Sequence, residues 1–173
     1  MKVIPSHKIN KSVHFPIINA VPDNKELNLY QKVIKFLTYR RMWQLQRDYI
    51  IWCDYLKEYI FIPKNFIFDG ASVPKALYSF FSPNGILLLG ACPHDFGYRY
   101  KGLIHIDNNG YLYYKRYSKS ELDKMFRSMC TKESSLGAAV NIAYIGLFLF
   151  GFTGWLEARK NNCDLNKDFP NLF

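Results

Sequence analysis

Twenty consecutive residues, Leu136 to Trp155, are broken only by Asn141, Thr153 and four glycines. A run of that length can span a bilayer, so it decides whether the chain is built in a membrane or around a core. Small residues (Gly137, Ala138, Ala139, Ala143, Gly146) dilute its hydrophobicity, Asn141 sits inside it, and Gly151 and Gly154 break its last turns. A buried or half-buried core helix is therefore expected, with a membrane-associated helix as the alternative.

With 173 residues the chain is long enough for one compact domain with a real core. Hydrophobic residues make up 49% and aromatics 17%, which excludes disorder over most of it. The net charge of +9 favours anionic neighbours such as phosphate, lipid headgroups or nucleic acid. The basic residues are scattered, and no specific nucleic-acid module is present. Cys53, Cys92, Cys130 and Cys163 stand 33 to 39 residues apart without a C-x-x-C pair, which argues against a zinc knuckle or a disulfide framework and for a reduced cytoplasmic setting. Residues 1–10 carry Lys2, His7 and Lys8 and no apolar core, so no signal peptide is expected.

Three units are expected along the chain: an N-terminal arm and helix (1–42), a core domain (43–156) and a polar surface tail (157–173). The arm is proline-rich and extended to Pro22, suited to lying on a partner surface, and Leu27 to Leu37 is expected as a helix, with a strand as the alternative. From Trp43 to Phe68 the pattern turns to strands, a small antiparallel meander with turns at 54–57 and 63–65. Asp69-Gly70 reads as a turn, with Ser72 as N-cap and Pro74 in the first turn of a short helix to Phe81. A helix is expected over 86–100, with Pro93 kinking it or marking its start. Residues 103–114 form a hairpin around Asp107-Asn108-Asn109-Gly110. Ser118 and Glu121 have capping-box spacing, with Ser120 as a competing cap, for a helix over 119–131 whose apolar face is Leu122, Met125, Phe126 and Met129. With the apolar run at 136–156, the fold class is α+β: a small antiparallel sheet with a core of about three helices.

Chemistry concentrates in Ala91-Cys92-Pro93-His94-Asp95-Phe96-Gly97-Tyr98. On a helix His94 and Tyr98 are i and i+4 and share a face, while Asp95 points about 100° away. Asp69 and Asp123 complete the candidate set. Each has a plain structural reading: His94 as a hydrogen-bonded core histidine, Asp69 as the turn's own acceptor, Asp95 as a solvated helix residue, Asp123 as a complement to the helix dipole. Nucleophilic alternatives are poorer. Ser72 lacks a Gly-x-Ser-x-Gly elbow, Cys92 diverges from His94 by about 200° on a helix, and His105 and His14 have no acidic neighbour except Asp107, which the hairpin turn claims.

Phe66-x-x-Asp69-x-Ala71-Ser72-Val73-Pro74, Ala91-x-x-His94-Asp95-x-x-Tyr98 and Leu122-Asp123-x-Met125-Phe126-x-x-Met129, followed by Tyr144 and Gly151 to Trp155, resemble an uncharacterised family of tailed phages and prophages. The resemblance covers Trp43 to Trp155. It departs from the family pattern where Ile62-Pro63 stands for Val-Pro and Leu122 for an Ala. It implies a phage protein, placed in the host cytoplasm or the virion, and supplies no activity.

The His-Asp-x-x-Tyr helix is also similar to that of secretory phospholipases, in which it runs antiparallel to a helix whose Asp orients the His. That similarity implies His94 as general base, Asp123 fixing its tautomer, Tyr98 bracing the dyad, and Asp95, with Asp69 nearby, as ligands of a calcium ion. A neutral imidazole is a competent base near pH 7, and a hard cation would stabilise a developing oxyanion. The disulfides and glycine-rich calcium loop of those enzymes are missing, and Asp69-Gly70 only partly substitutes. The expectation is a phage-encoded hydrolase acting on an ester of lipid or envelope material. Its rival is a non-enzymatic virion or host-interaction protein in which the His/Asp cluster is a structural or metal-binding network. Membrane lipid or phage virion proteins are the partners these readings imply.

Overall fold

The structure, a computed structural model, describes residues 2–4, 9, 16–21, 42–69, 87–132, 140–141, 144–145, 151–152, 155–156, 160–161 and 163–172. Alternating burial along β3 (Tyr49–Cys53) gives it one inward face, as the period of two requires. It pairs antiparallel with β4 (Glu58–Ile62) across the 54–57 turn, where Lys57 takes a positive φ. β4 pairs in turn with β6 (Gly102–Ile106), and β6 with β7 (Leu112–Arg116), giving a four-stranded sheet in the order β3-β4-β6-β7. Every residue of β6, an inner strand of this sheet, is buried, and α1 (Leu87–Tyr100) packs on the sheet. A second sheet places β2 (Trp43–Leu45) between β1 (Ile18–Ala20) and β5 (Ile67–Phe68). The strands expected as one meander are therefore divided between two antiparallel sheets, and the α+β class holds.

The N-terminal residues extend the sheets. Val3 bridges to Tyr111, the Ile4 amide donates to the Gly110 carbonyl, and β1 forms the edge beside β2. The arm is thus partly absorbed into the fold, its backbone donors satisfied by the chain's own strands. The 157–173 segment is polar in composition but anchored. After α3 (Leu165–Asp168), Phe169 packs against Phe96 and Tyr100, Leu172 is buried, and Tyr100 Oη donates to Asp168 Oδ2 at 2.8 Å. The helices expected over 27–37 and 72–81 lie outside the described residues.

α1 and α2 (Lys119–Lys132) form the helical pair that carries the site. Pro93 lies inside α1, buried, so it neither starts nor ends the helix. Gly90 and Gly97, seven residues apart on one face, let the two helices approach closely: a Cβ on Gly90 would meet Cys130 Sγ, and one on Gly97 would meet the Leu122 side chain. α2 begins on the expected capping box, with the Ser118 amide donating to Glu121 Oε2 and the Glu121 amide to Ser118 Oγ. Leu122, Met125, Phe126 and Met129 are all buried. Lys101, at φ 67°, turns the chain directly from α1 into β6, while Tyr114 Oη donates to the carbonyl of Tyr100. This fixes the end of α1 to the sheet.

Among the described residues of the long apolar run, Val140 is buried, whereas Ile145, Phe152 and Leu156 are 54%, 56% and 44% exposed. Among the described residues no helix is long and apolar enough to cross a membrane. The described residues of the run are thus of both kinds, Val140 buried and Ile145, Phe152 and Leu156 open to solvent.

Candidate functional site

The α1–α2 contact brings His94, Tyr98 and Asp123 together. His94 Nε2 lies 3.0 Å from Asp123 Oδ1, and Tyr98 Oη donates to the same oxygen at 2.6 Å. The helical spacing of His94 and Tyr98 sets their rings against each other, tilted by 39° with centroids 4.0 Å apart, and Phe126 stands edge-on to the imidazole at 5.5 Å. Lys119, one turn before Asp123, donates to Oδ2 at 2.6 Å. A buried carboxylate thus accepts from three side chains, which is what makes its burial tolerable.

Lys119 was not among the residues the sequence pattern singled out. Its signal was available: a lysine four residues before a buried aspartate shares that aspartate's face. Trp155 closes the other side, its ring edge-on to Tyr98 at 5.1 Å, and Gly151 lies close above Tyr98 Oη and Lys119 Nζ.

The protonation pattern follows from these contacts. Burial would raise the Asp123 carboxyl, but bonds from His94, Lys119 and Tyr98 more than reverse this and hold it below its ordinary value. Asp123 is therefore ionised and an acceptor only, so His94 Nε2 must carry a proton. In the neutral ring the free lone pair is then on Nδ1, which faces Asp95 Oδ1 at 3.6 Å. Burial disfavours the charged imidazolium, yet the hydrogen bonds to Asp123 and Asp95, and their charges, outweigh it and raise the His94 pKa. Tyr98 is pushed upward by burial and by its bond to Asp123, so its hydroxyl stays protonated.

Asp95 is a different kind of carboxylate. Its side chain is 21% exposed, and Oδ2 is buried without a donor among the described residues. Burial, and then the nearby charge of Asp69, push its pKa up to about 7 against the opposing pull of His94. Asp69 therefore lies near enough to Asp95 for its charge to act there. Among the described residues, no group of three or more His, Cys, Asp or Glu side chains is gathered for a metal. The two carboxylates offer hard oxygen donors, and Asp95 Oδ2 is buried without a hydrogen bond among the described residues.

The plain reading of Asp123 as a dipole complement gives way to its role as acceptor for three side chains. Cys92 is buried, and burial raises its thiol well above the ordinary value, which removes it as a nucleophile. Asp107 does serve the hairpin turn, accepting from the amides of Asn109 and Tyr111. His105 nonetheless has an acidic neighbour, since Glu58 on the adjoining strand brings Oε2 to 3.1 Å of its Nδ1. Forty-seven residues separate Glu58 from His105, so only strand pairing could reveal it. Tyr117 Oη contacts His105 Nε2 at 3.0 Å, and burial holds the His105 pKa down to about 4. This second cluster is a neutral histidine between strands, bonded through Nε2 to Tyr117, with its buried Nδ1 making no hydrogen bond among the described residues.

Fold and site together define an α+β domain with a buried His-Asp-Tyr constellation between two helices and a carboxylate pair at its edge. The chain belongs to the family described as "Protein of unknown function (DUF1353)", which matches residues 43–147, more than half of its length. The match takes in Asp69, His94, Asp95, Tyr98, Lys119 and Asp123. No curated protein and no solved structure gives a significant match.

Proposed function

We propose that the protein is a phage-encoded hydrolase that cleaves an ester bond of lipid or envelope material. The observation that carries this reading is Asp123 Oδ1, shared by His94 Nε2 and Tyr98 Oη at 3.0 and 2.6 Å. It fixes the imidazole so that Nδ1 is the basic nitrogen, on the side of Asp95, whose side chain is 21% exposed.

His94 Nδ1 takes a proton from a water molecule as that water's oxygen bonds to the ester carbonyl carbon. The imidazolium so formed stands between the carboxylates of Asp123 and Asp95, which stabilise it without accepting its proton. As the tetrahedral intermediate collapses and the carbon–alkoxide bond breaks, the Nδ1 proton passes to the departing oxygen, regenerating neutral His94. Tyr98 and Lys119 hold Asp123 in place throughout. Asp69 and Asp95 would hold a calcium ion, whose chemistry there is to polarise the carbonyl oxygen and offset its developing negative charge.

A second reading has its own support. His94 is only 3% exposed and both its ring nitrogens face carboxylates, so the cluster also serves as a polar clasp between α1 and α2 in a non-enzymatic virion or host-interaction protein. Comparing wild type with His94→Ala, in thermal stability and in release of fatty acid from phospholipid vesicles, separates the two. Activity lost on an intact fold supports the hydrolase. An inactive wild type, with a variant of much lower melting temperature, leaves the clasp.

A further inference from the structure

We infer that the exposed apolar residues Ile145, Phe152 and Leu156 form a docking surface for an anionic lipid bilayer, on which the protein lies without spanning it. The described residues of the apolar run from Val140 to Leu156 are helical, and they differ in exposure. Val140 is buried, Gly151 approaches Tyr98 and Lys119, and Trp155 packs on Tyr98. Ile145, Phe152 and Leu156 instead face solvent, each at least 44% exposed. Three large apolar side chains held outward along one short segment are costly in water and gain free energy in the boundary between headgroups and acyl chains.

Charge complementarity selects the occupant. Arg127 is exposed on α2, its guanidinium over the Tyr144 ring at 5.1 Å and its Nε bonded to Asn141. Exposed Lys160 follows Leu156 by four residues. Arg127 thus lies against the helical residues that lead into Ile145, Lys160 follows Leu156 in sequence, and the chain as a whole carries +9. Apolar anchors flanked by cations match an anionic membrane surface, where each basic group near the headgroups adds to the attraction. Phe152 and Leu156 directly follow Gly151 and Trp155, which close over the His94–Asp123 site. A helix with its side chains is about 10–12 Å across, so docking would bring that site to within about a helix diameter of the lipid. The inference rests on the hydrolase reading only for what the docking delivers, not for the docking itself.

The test is cosedimentation of the full chain with vesicles of equal parts phosphatidylglycerol and phosphatidylcholine, and with phosphatidylcholine alone. Wild type is expected to bind the anionic vesicles and to bind the neutral ones more weakly. Ile145→Ser/Phe152→Ser/Leu156→Ser is expected to bind the anionic vesicles about a hundredfold more weakly while keeping the wild-type melting temperature. Arg127→Gln/Lys160→Gln is expected to lose roughly fivefold per charge. His94→Gln is expected to bind as wild type, so that loss of hydrolysis and loss of docking are read separately. The inference is overturned if wild type stays in the supernatant, if the triple variant sediments like wild type, or if light scattering shows a dimer that the triple variant dissolves. Should the triple variant unfold, Phe152→Ser alone decides, with about a fivefold loss expected and an unchanged affinity counting against the surface.

Discussion

Tyr98 donates its hydroxyl to Asp123 across the interface of α1 and α2, at 2.6 Å, onto the oxygen that His94 also reaches. One carboxylate oxygen therefore couples two residues of one helix to the second helix. Asp123→Ala would leave the His94 N–H, the Tyr98 hydroxyl and the Lys119 ammonium without their acceptor. Removing one partner of a buried charged network typically costs about 3–5 kcal/mol, and a loss of that order is expected in urea unfolding. Asp123→Asn is expected to cost less in stability, because its amide oxygen can still accept. It should nonetheless abolish hydrolysis, since the uncharged amide no longer offsets the imidazolium.

The pH profile follows from the raised His94 pKa. As a base His94 must be neutral, so hydrolysis should rise with pH through a value above the ordinary histidine range of about 6.5. Tyr98→Phe keeps the ring against His94 but removes one donor from Asp123. With less competition for its charge, that carboxylate should favour the imidazolium more strongly and move the rising limb to still higher pH. A limb that stays in place would show that Tyr98 does not act through Asp123. The linked stability effect has a definite sign: because the folded pKa is raised, the stabilisation from His94 is complete below the unfolded pKa and is lost as pH rises through the folded one.

Asp95 moves stability in the same direction, over a lower range of pH. Its folded pKa, up to about 7 mainly through burial, stands well above the unfolded value of about 3.9. Between those values the unfolded chain releases the proton first, so stability should fall as pH rises from about 4 to about 7 and then level off. Asp95→Asn removes that penalty, and a gain of about 1–2 kcal/mol at pH 7 is expected by chemical denaturation. The same variant should lose any dependence of hydrolysis on calcium. No gain in stability would mean that the Asp69–Asp95 repulsion is already relieved in the native state.

Local signals in the sequence were strong where the contacts are local. The capping box at Ser118 and Glu121, the 107–110 hairpin turn and the i, i+4 pairing of His94 with Tyr98 each need only neighbours along the chain. The meeting of His94 with Asp123 is not local, and a family resemblance stood in for the geometry. Glu58 beside His105 depends on the register of β4 against β6, which alternation alone does not set. The division of the strands into two sheets escaped for the same reason: β2 pairs with β5 and β1, across the hairpin of β3 and β4. Leu172 and Phe169 were hidden by polar composition, since two apolar residues suffice to anchor a segment whose other residues face water.

The closeness of the two helices is itself a determinant of the site, and Gly97 tests it. Alanine is worth about 1 kcal/mol over glycine within a helix, so Gly97→Ala would stabilise an isolated α1. Here the new Cβ would fall 2.5 Å from Leu122 Cδ2 and 3.0 Å from Cδ1, on a side chain that is fully buried and cannot swing aside. A net loss of about 1–2 kcal/mol is therefore expected. Leu122→Ala alone should cost about 2–5 kcal/mol through the cavity it leaves, but considerably less in the Gly97→Ala background, where the added methyl partly fills that space. Gly97 precedes Tyr98 and Leu122 precedes Asp123, so the same overlap should push apart the pair that shares the site's central oxygen. Hydrolysis should fall in Gly97→Ala and recover in part in the double variant. A Gly97→Ala protein as stable and as active as wild type would show that the helices can separate without disturbing His94, Tyr98 and Asp123.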